Sequence, residues 1–350
     1  MSSIDSDILV VGAGPAGATA ALRAKEHRMS VLLIDKKREI GRPVRCAEFI
    51  PSPILKGLPT GGDYVIQKIT HMVVHSPDGK KFETESLGYM IDRERFDLAL
   101  LQQAKREGVR VWTDVRFVTS DGDGVLIRGK TGEQRIRTRF IIGADGPRSR
   151  VRRLIGIPDN KCLLGIQYRC RLSRPQQRIE VFLDLRFYGG YGWFFPKGDL
   201  VNIGIGIRYQ RIRNPRGILN DFVRDFRAKG RISGEPMGFV TGLIPVSGFG
   251  PFYQARTILV GDSLGITHPI TGGGIPQAII SGRIAGEVVA RAVKDSNTGI
   301  LKEYEHELNL IYKDEYERAL CRRQFMEENW EALPEIYEHV WPSFKEYYDD

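Results

Sequence analysis

The residues with the plainest chemical purpose are Gly12-Ala-Gly14-Pro-Ala-Gly17, a glycine turn of the form GxGxxG. In such a turn the first glycine makes the tight bend, the second lets backbone approach a pyrophosphate, and the third lets helix and strand pack closely. Pro15 and Ala16 then open a helix whose free N–H groups and partial positive charge suit phosphates. Asp35 ends the next strand about 20 residues on, where a carboxylate accepts both ribose hydroxyls. An acid there disfavours a ribose carrying a 2′-phosphate. The expected ligand is therefore FAD or NAD rather than NADP.

Two later turns combine glycine and acid after a buried strand: Ile141-Ile-Gly-Ala-Asp145-Gly146 and Ile258-Leu-Val-Gly261-Asp262. Either alone is an ordinary loop. In this order, and with Thr271-Gly-Gly-Gly274 following, the set resembles the three fingerprints of flavoproteins of the aromatic-hydroxylase type. That resemblance implies FAD, with Asp262 hydrogen-bonded to the ribityl chain and Gly273, Gly274 and Ile275 presenting a helix N-terminus to the pyrimidine ring. A positive helix end there stabilises negative charge on reduced flavin. The resemblance also implies that Arg93 reaches the phosphates, with Arg95 as its rival, and that Asp145, Gly146 and Val115 join the cofactor contacts.

Four further segments stand out: Gly41-Arg-Pro-Val-Arg45-Cys46-Ala47-Glu48, Tyr191-Gly-Trp193-Phe-Phe195-Pro-Lys-Gly198, Gly261-Asp-Ser-Leu-Gly265 and His268-Pro-Ile-Thr-Gly-Gly-Gly-Ile275. Together they resemble the geranylgeranyl reductase family, over roughly residues 5–330. The resemblance implies that reduced FAD hydrogenates C=C bonds of an isoprenoid lipid. It places Arg45, Cys46 and Ala47 beside the isoalloxazine, and Tyr191, Trp193 and Phe195 along the substrate cavity. From the residues alone, the aromatic cluster is equally a sheet core, and Cys46 is either an inert buried thiol or a residue that positions the flavin or relays a proton. Arg45 beside it is expected to lower its pKa. Ala47 and Phe49 depart from a family pattern that often has glycine, which predicts a more crowded flavin edge.

The elements that must position these residues follow from periodicity. Asp7–Gly12, an Ala-rich helix to about residue 28 and Val31–Asp35 read as a βαβ unit. Strands are expected over 65–74, 80–85, 109–113 and 140–143, a helix over 92–107, and hairpins at 121–124 and 130–132. Strands dominate 162–207, followed by a helix at 218–228, a short strand at 257–260 and a helix at 276–293. Beyond that the chain is helical and charged, with Leu301, Tyr304, Leu308, Ile311, Tyr312, Ala319 and Leu320 as its expected buried face. The fold class is α/β with an α+β insert. It comprises a Rossmann-like FAD-binding domain of the aromatic-hydroxylase type (1–64, 93–160, 255–295), an antiparallel-sheet substrate domain (65–92, 161–254) and C-terminal helices (296–350).

Composition narrows the partners. The 350 residues are 41% hydrophobic and carry 52 Lys+Arg against 43 Asp+Glu, a net charge of +9. The basic excess fits either contact with phospholipid headgroups or a solvated face. No RNA-binding aromatic signature, helix-turn-helix or zinc spacing is present, so no nucleic acid is expected. Cys46, Cys162, Cys170 and Cys321 are dispersed without CxxC, which excludes an iron-sulfur cluster or zinc knuckle and suits a reducing cytoplasm. No metal is expected. No stretch approaches the ~20 apolar residues that span a bilayer, so membrane contact is expected to be peripheral. A single nucleotide cradle implies a transient electron donor: ferredoxin, deazaflavin or NAD(P)H. The rival functions are an aromatic hydroxylase and a flavin-free prenyl escort protein. Retention of Asp35, Asp145 and Asp262 argues against the latter.

Overall fold

The computed structural model describes residues 4–55, 58, 63–121 and 124–349. The apolar run at the start of the chain forms strand Ile4–Val11, which is paired in parallel on both edges. Leu9 lies opposite Leu32 of Val31–Asp35 and opposite Ile141 of Gly132–Gly143. Strands covered on both faces need near-continuous apolar sequence, as Ile8 to Val11 supply. Arg110–Thr113 extends one side of this sheet in parallel, and Thr257–Leu259 and Tyr253–Gln254 extend the other. The meander Arg116–Asp121, Gly124–Gly129 and Gly132–Gly143 is attached to it. The expected hairpin at 121–124 has its strands in place, while its tip, residues 122–123, lies outside the described residues.

Among the described residues there are seven α-helices: α1 (Pro15–Glu26), α2 (Arg93–Arg106), α3 (Arg150–Leu154), α4 (Pro215–Ala228), α5 (Ile275–Lys294), α6 (Leu301–Glu328) and α7 (Leu333–Val340). Helices α1 and α5 meet backbone to backbone. A Cβ on Gly282 would stand 2.3 Å from the Ala16 carbonyl oxygen, and one on Gly286 2.4 Å from that of Ala20. The four-residue spacing puts both glycines on one face of α5. This contact fixes the turn before α1 against the turn before α5.

The second sheet contains nine strands among the described residues. Cys162–Leu172, Leu200–Ile207, Tyr191–Lys197 and Arg178–Phe182 pair antiparallel, as expected. Arg178–Phe182, however, joins Val65–His75 in parallel, because the two stretches that build the sheet enter it from separate parts of the chain. Two boundaries also shift. Phe49–Pro51 belongs to this second sheet rather than to the dinucleotide domain: it pairs with Lys81–Ile91, and the Phe49 ring occupies the space where Gly88 lacks a side chain. Tyr253–Gln254 crosses the other way, drawn into the first sheet by pairing with Thr257–Leu259.

Helix α4 covers one face of the second sheet, where Phe222 and Phe226 meet Phe194. The C-terminal helices cover the other, with Trp330, Leu333, Tyr337 and Trp341 against Trp193 and Phe195. The buried stripe of α6 is Leu301, Tyr304, Leu308, Tyr316, Ala319, Arg323 and Met326. Ile311, assigned to that stripe from spacing, is instead exposed. After Leu308 the stripe advances in steps of four, which carries it through Tyr312 to Tyr316 and leaves Ile311 on the solvent edge.

Candidate functional site

The glycine turn is built by sterics. Gly12 has φ +108°, and a Cβ there would meet the Ala144 carbonyl oxygen at 2.2 Å; a Cβ on Gly17 would stand 1.8 Å from the Gly12 oxygen. A Cβ on Gly14 would meet nothing within 4 Å. The turn is therefore closed on two sides and open at the one glycine whose backbone must meet phosphate. Helices α2, α3 and α4 begin on side-chain caps, supplied by Asp92, Ser149 and Asn214. Helices α1 and α5 begin on Gly14 and Gly274, with no side-chain acceptor and no acid in the first turn. Their first-turn N–H groups are left for an external acceptor. Asp35 accepts from Ala13 N and Lys37 N, each at 2.7 Å, and each oxygen keeps a further acceptor site. Val115 is held beside it, its N–H donating to the Asp35 carbonyl at 2.9 Å. These residues fit the phosphates and ribose of an adenine dinucleotide.

The two later acids differ. Asp145 is engaged within its own turn, accepting from Ser149 Oγ, from Arg150 N at 2.6 Å and from Val151 N at 3.3 Å. Its carboxylate organises the start of α3, and Gly146 with φ +86° completes the turn. The Asp262 carboxylate has no hydrogen-bond partner among the described residues. Burial pushes its pKa up to about 6, against the opposing pull of Arg93. A half-buried acceptor left unpaired fits a chain of ligand hydroxyls.

The Arg45–Glu48 segment is anchored atom by atom to the second sheet. Gln167 Nε2 donates to the Cys46 carbonyl at 3.0 Å, and Trp193 Nε1 donates to Gln167 Oε1 at 3.1 Å. Asn202 Nδ2 donates to the Ala47 carbonyl at 3.2 Å and to Glu48 Oε2 at 3.0 Å. Glu48 is fully buried in a left-handed conformation, φ +72°, and its carboxylate also accepts from Lys197 Nζ at 2.8 Å and from Arg93 N at 3.1 Å. Arg45 itself is exposed. The expectation that Arg45 lowers the Cys46 pKa is corrected: burial pushes the thiol up, and the cation opposing that rise is Arg93. Arg93 also pairs with Asp97 at 3.0 Å. Its rival Arg95 is exposed and donates to the Asp63 carbonyl.

Tyr191, Trp193 and Phe195 alternate along one strand and so share a face, while Phe194 points to the opposite core under Arg231. Tyr191 packs edge-on to Trp341 at 5.0 Å, and Phe195 lies 6.2 Å from Phe49. The Tyr191 hydroxyl donates to the Thr271 carbonyl at 2.5 Å, tying this strand to the turn that carries Gly273, Gly274 and Ile275. His268 holds the same turn: Nδ1 accepts from Ile270 N and Thr271 N, so Nε2 carries the proton toward Glu315 at 3.0 Å. From α6, the buried Arg323 donates to the carbonyls of Pro269 and Gly189.

Sequence reasoning missed Glu48, Gln167, Lys197, Asn202, Glu315 and Arg323 as parts of this site. Arg323 alone left a signal, a charge at a buried position of the α6 stripe. Glu48, Gln167, Lys197 and Asn202 make their contacts across more than a hundred residues, and Glu315 meets His268 from a position on α6 that is one charge among many.

Comparisons with known proteins bear on the family and the fold. A family model described as geranylgeranyl reductase catalytic domain matches residues 165–243. Others described as FAD binding domain and NAD(P)-binding Rossmann-like domain match residues 77–165 and 10–67. The chain is 35% identical over 320 residues to a digeranylgeranylglycerophospholipid reductase of Methanocaldococcus jannaschii, covering 85% of this chain and 81% of that protein. It is 34% identical to digeranylgeranylglycerophospholipid reductase 1 of Methanopyrus kandleri, covering 95% and 92%. Among solved structures, a geranylgeranyl bacteriochlorophyll reductase-like protein of Thermoplasma acidophilum aligns with a TM-score of 0.85 at 26% identity, covering 99% of this chain and 94% of that one. A flavin-dependent brominase shares the fold, with a TM-score of 0.74 at 17% identity, covering 97% and 96%.

Proposed function

Because the chain belongs to the digeranylgeranylglycerophospholipid reductase family, we propose that it saturates carbon–carbon double bonds in the isoprenoid chains of a lipid, a reduction at CH–CH groups that uses FAD. The observation that supports this reading is that Gln167, itself held by Trp193, anchors the Cys46 carbonyl to the strand of Tyr191, Trp193 and Phe195, while the Arg93 charge acts on both Cys46 and Asp262. When bound and reduced, FAD supplies the hydride equivalent.

The chain's own residues do the rest. The open backbone at Gly14 and the uncapped α1 terminus take the pyrophosphate, and Asp35 takes the ribose hydroxyls. Asp262 accepts from the ribityl chain, while the uncapped α5 terminus behind Gly273 and Gly274 faces negative charge. Arg93 acts from beside Cys46 and Asp262. A thiol raised by burial keeps its proton at Sγ at neutral pH, so Cys46 is suited to deliver the proton that completes saturation. Arg93 then steadies the thiolate until the proton is replaced. Tyr191, Trp193 and Phe195 exclude water on the substrate side.

The electron donor is a transient partner: ferredoxin, deazaflavin or NAD(P)H. No helix among the described residues is long and apolar enough to cross a membrane. The net charge of +9 and the exposed Leu310 and Ile311 of α6 support docking on an anionic lipid surface, which vesicle co-sedimentation lost at high salt would report.

The deciding assay is anaerobic. Purified protein reduced with dithionite is expected to be reoxidised by a geranylgeranyl lipid, with a more saturated product. Reoxidation that requires oxygen and yields a hydroxylated product would overturn the proposal in favour of a hydroxylase. Cys46→Ala is expected to retain FAD and to lose about 100-fold in turnover; full turnover removes Cys46 from the mechanism.

A further inference from the structure

A cavity of about 450 Å³ lies beside the site just described and has no part in it so far. Its wall carries four cations, Arg148, Lys161, Arg208 and Arg211, against two carboxylates, Asp159 and Glu327. Both carboxylates are already engaged. Glu327 takes two short contacts from Arg208, 2.6 and 2.7 Å, and a third from Arg323 at 2.8 Å. Asp159 pairs with Arg153, at 3.3 Å. Arg148, Lys161 and Arg211 have no carboxylate partner among the described residues, and they converge on one cavity from three separate parts of the chain.

The surroundings of the cavity restrict what fills it. On one side Asn160 donates to the Asp262 carbonyl at 3.0 Å, and its own buried Oδ1 has no hydrogen-bond partner. On the other side Tyr188, under the Arg211 guanidinium, packs at 5.3 Å on Trp330. Trp330 belongs to the same apolar cluster as Trp193 and Trp341. The cavity is thus a cationic chamber between the turn of Asp262 and the apolar cluster that contains Trp193 and Trp341. A molecule with a charged end and a long apolar chain meets both requirements at once, the first by charge-assisted hydrogen bonds and the second by burial.

We infer that this cavity binds a phosphate group, and that the group is the phosphorylated head of the isoprenoid lipid whose chain lies along the Trp193 face. The assignment to a headgroup rests on the alkene-reductase reading, whereas the anion site stands on the geometry of the cations. The phosphates of a nucleotide electron donor have the same chemistry and form the alternative source.

The test uses FAD-loaded wild type and the triple variant Arg148→Gln/Lys161→Gln/Arg211→Gln, three exposed side chains outside both cores. Inorganic pyrophosphate is titrated by calorimetry into each. Reduced enzyme is then assayed anaerobically with a prenyl monophosphate and with the prenyl alcohol of the same chain. Pyrophosphate affinity is expected to fall about 30-fold in the variant. KM for the prenyl monophosphate is expected to rise by a similar factor, with turnover of the alcohol as the control for folding. Unchanged pyrophosphate binding overturns the anion site. Lost pyrophosphate binding with an unchanged KM for the monophosphate overturns the headgroup assignment, and weakened reduction by NAD(P)H would then point to the donor. If neither prenyl compound reoxidises the flavin, the proposed function falls together with the headgroup assignment, while the titration still decides whether the cavity binds phosphate.

Discussion

The Gly12–Gly17 turn and the Arg45–Glu48 segment are held in place by opposite means. The turn is shaped by missing side chains: Gly12 and Gly17 leave space that the Ala144 and Gly12 carbonyls fill, all within a strand-turn-helix and one neighbouring loop. The segment is shaped by side chains that are present, with Gln167, Asn202 and Lys197 reaching it from strands far along the chain. Backbone sterics make the turn rigid whatever surrounds it. The segment is only as well placed as the second sheet that holds it, so the position of Cys46 depends on the sheet domain while the shape of the glycine turn does not.

Substitution within the turn should have the largest effects and should separate its two functions. Gly17→Val places carbon 1.8 Å from the Gly12 oxygen, where only backbone can move. Loss of about 3 kcal/mol or more is expected, with failure to retain flavin, read by thermal melts and absorbance. Gly14→Ala meets nothing within 4 Å and is not at positive φ. It should melt like wild type yet retain FAD at least about tenfold less well, because the methyl group projects into the open side of the turn. Equal stability loss in both variants would show that the turn is not divided into a packed side and a ligand side.

The same contrast explains what could be read from sequence. GxGxxG, Asp35 and the strand after it form a local pattern with a fixed geometry, so the first sheet and its cradle were legible. The uncapped start of α5 was legible too, through Thr271-Gly-Gly-Gly274. Glu48 was visible inside a quoted motif, but nothing in its neighbours announces a buried carboxylate, since Lys197 and Asn202 lie about 150 residues away. The pKa of Cys46 is hidden from the sequence for the same reason. Adjacency made Arg45 the obvious cation, yet the chain turns so that Arg45 is exposed and Arg93 approaches the thiol. Asp145 was identified as part of a turn, and only the folded chain reveals that its oxygens are occupied by the start of α3.

Glu48→Gln tests the segment at its most buried contact. It leaves Lys197, whose side chain is 9% exposed, without a counter-charge. A loss of about 3 kcal/mol is expected, measured by denaturant unfolding, because an uncompensated buried charge costs more than the pair contributed. Adding Lys197→Met should recover part of that loss. If the single variant is as stable as wild type, the segment is not held by this pair.

Asp262→Asn should move stability the other way. Its folded pKa of about 6 lies above the ordinary value of 3.8, so the folded chain holds a proton that the unfolded chain has released. Stability from this carboxylate is therefore lost as pH rises from about 4 to about 6. FAD-stripped Asp262→Asn is expected to be about 2 kcal/mol more stable than stripped wild type at pH 7.5 and no more stable near pH 4. Its flavin should also dissociate more readily. A gain that persists unchanged at pH 4 would mean that charge is not the cause.

Trp193→Phe makes the smallest change and separates two meanings of the aromatic strand. If the ring acts only as a wall, phenylalanine keeps the apolar surface, and the effect should be confined to KM for the lipid. The hydrogen bond to Gln167 gives it a second role as a positioning residue, because Gln167 in turn holds the Cys46 carbonyl. Losing that bond should cost about 1 kcal/mol and lower Tm by about 2 °C. It should also alter the visible circular dichroism of the flavin while leaving KM nearly unchanged. Gln167→Leu should reproduce the spectral change with Trp193 intact, since both substitutions release the same carbonyl. A Trp193→Phe spectrum identical to wild type, with KM raised, would leave the strand as a wall and confine control of the segment to Glu48 and Asn202.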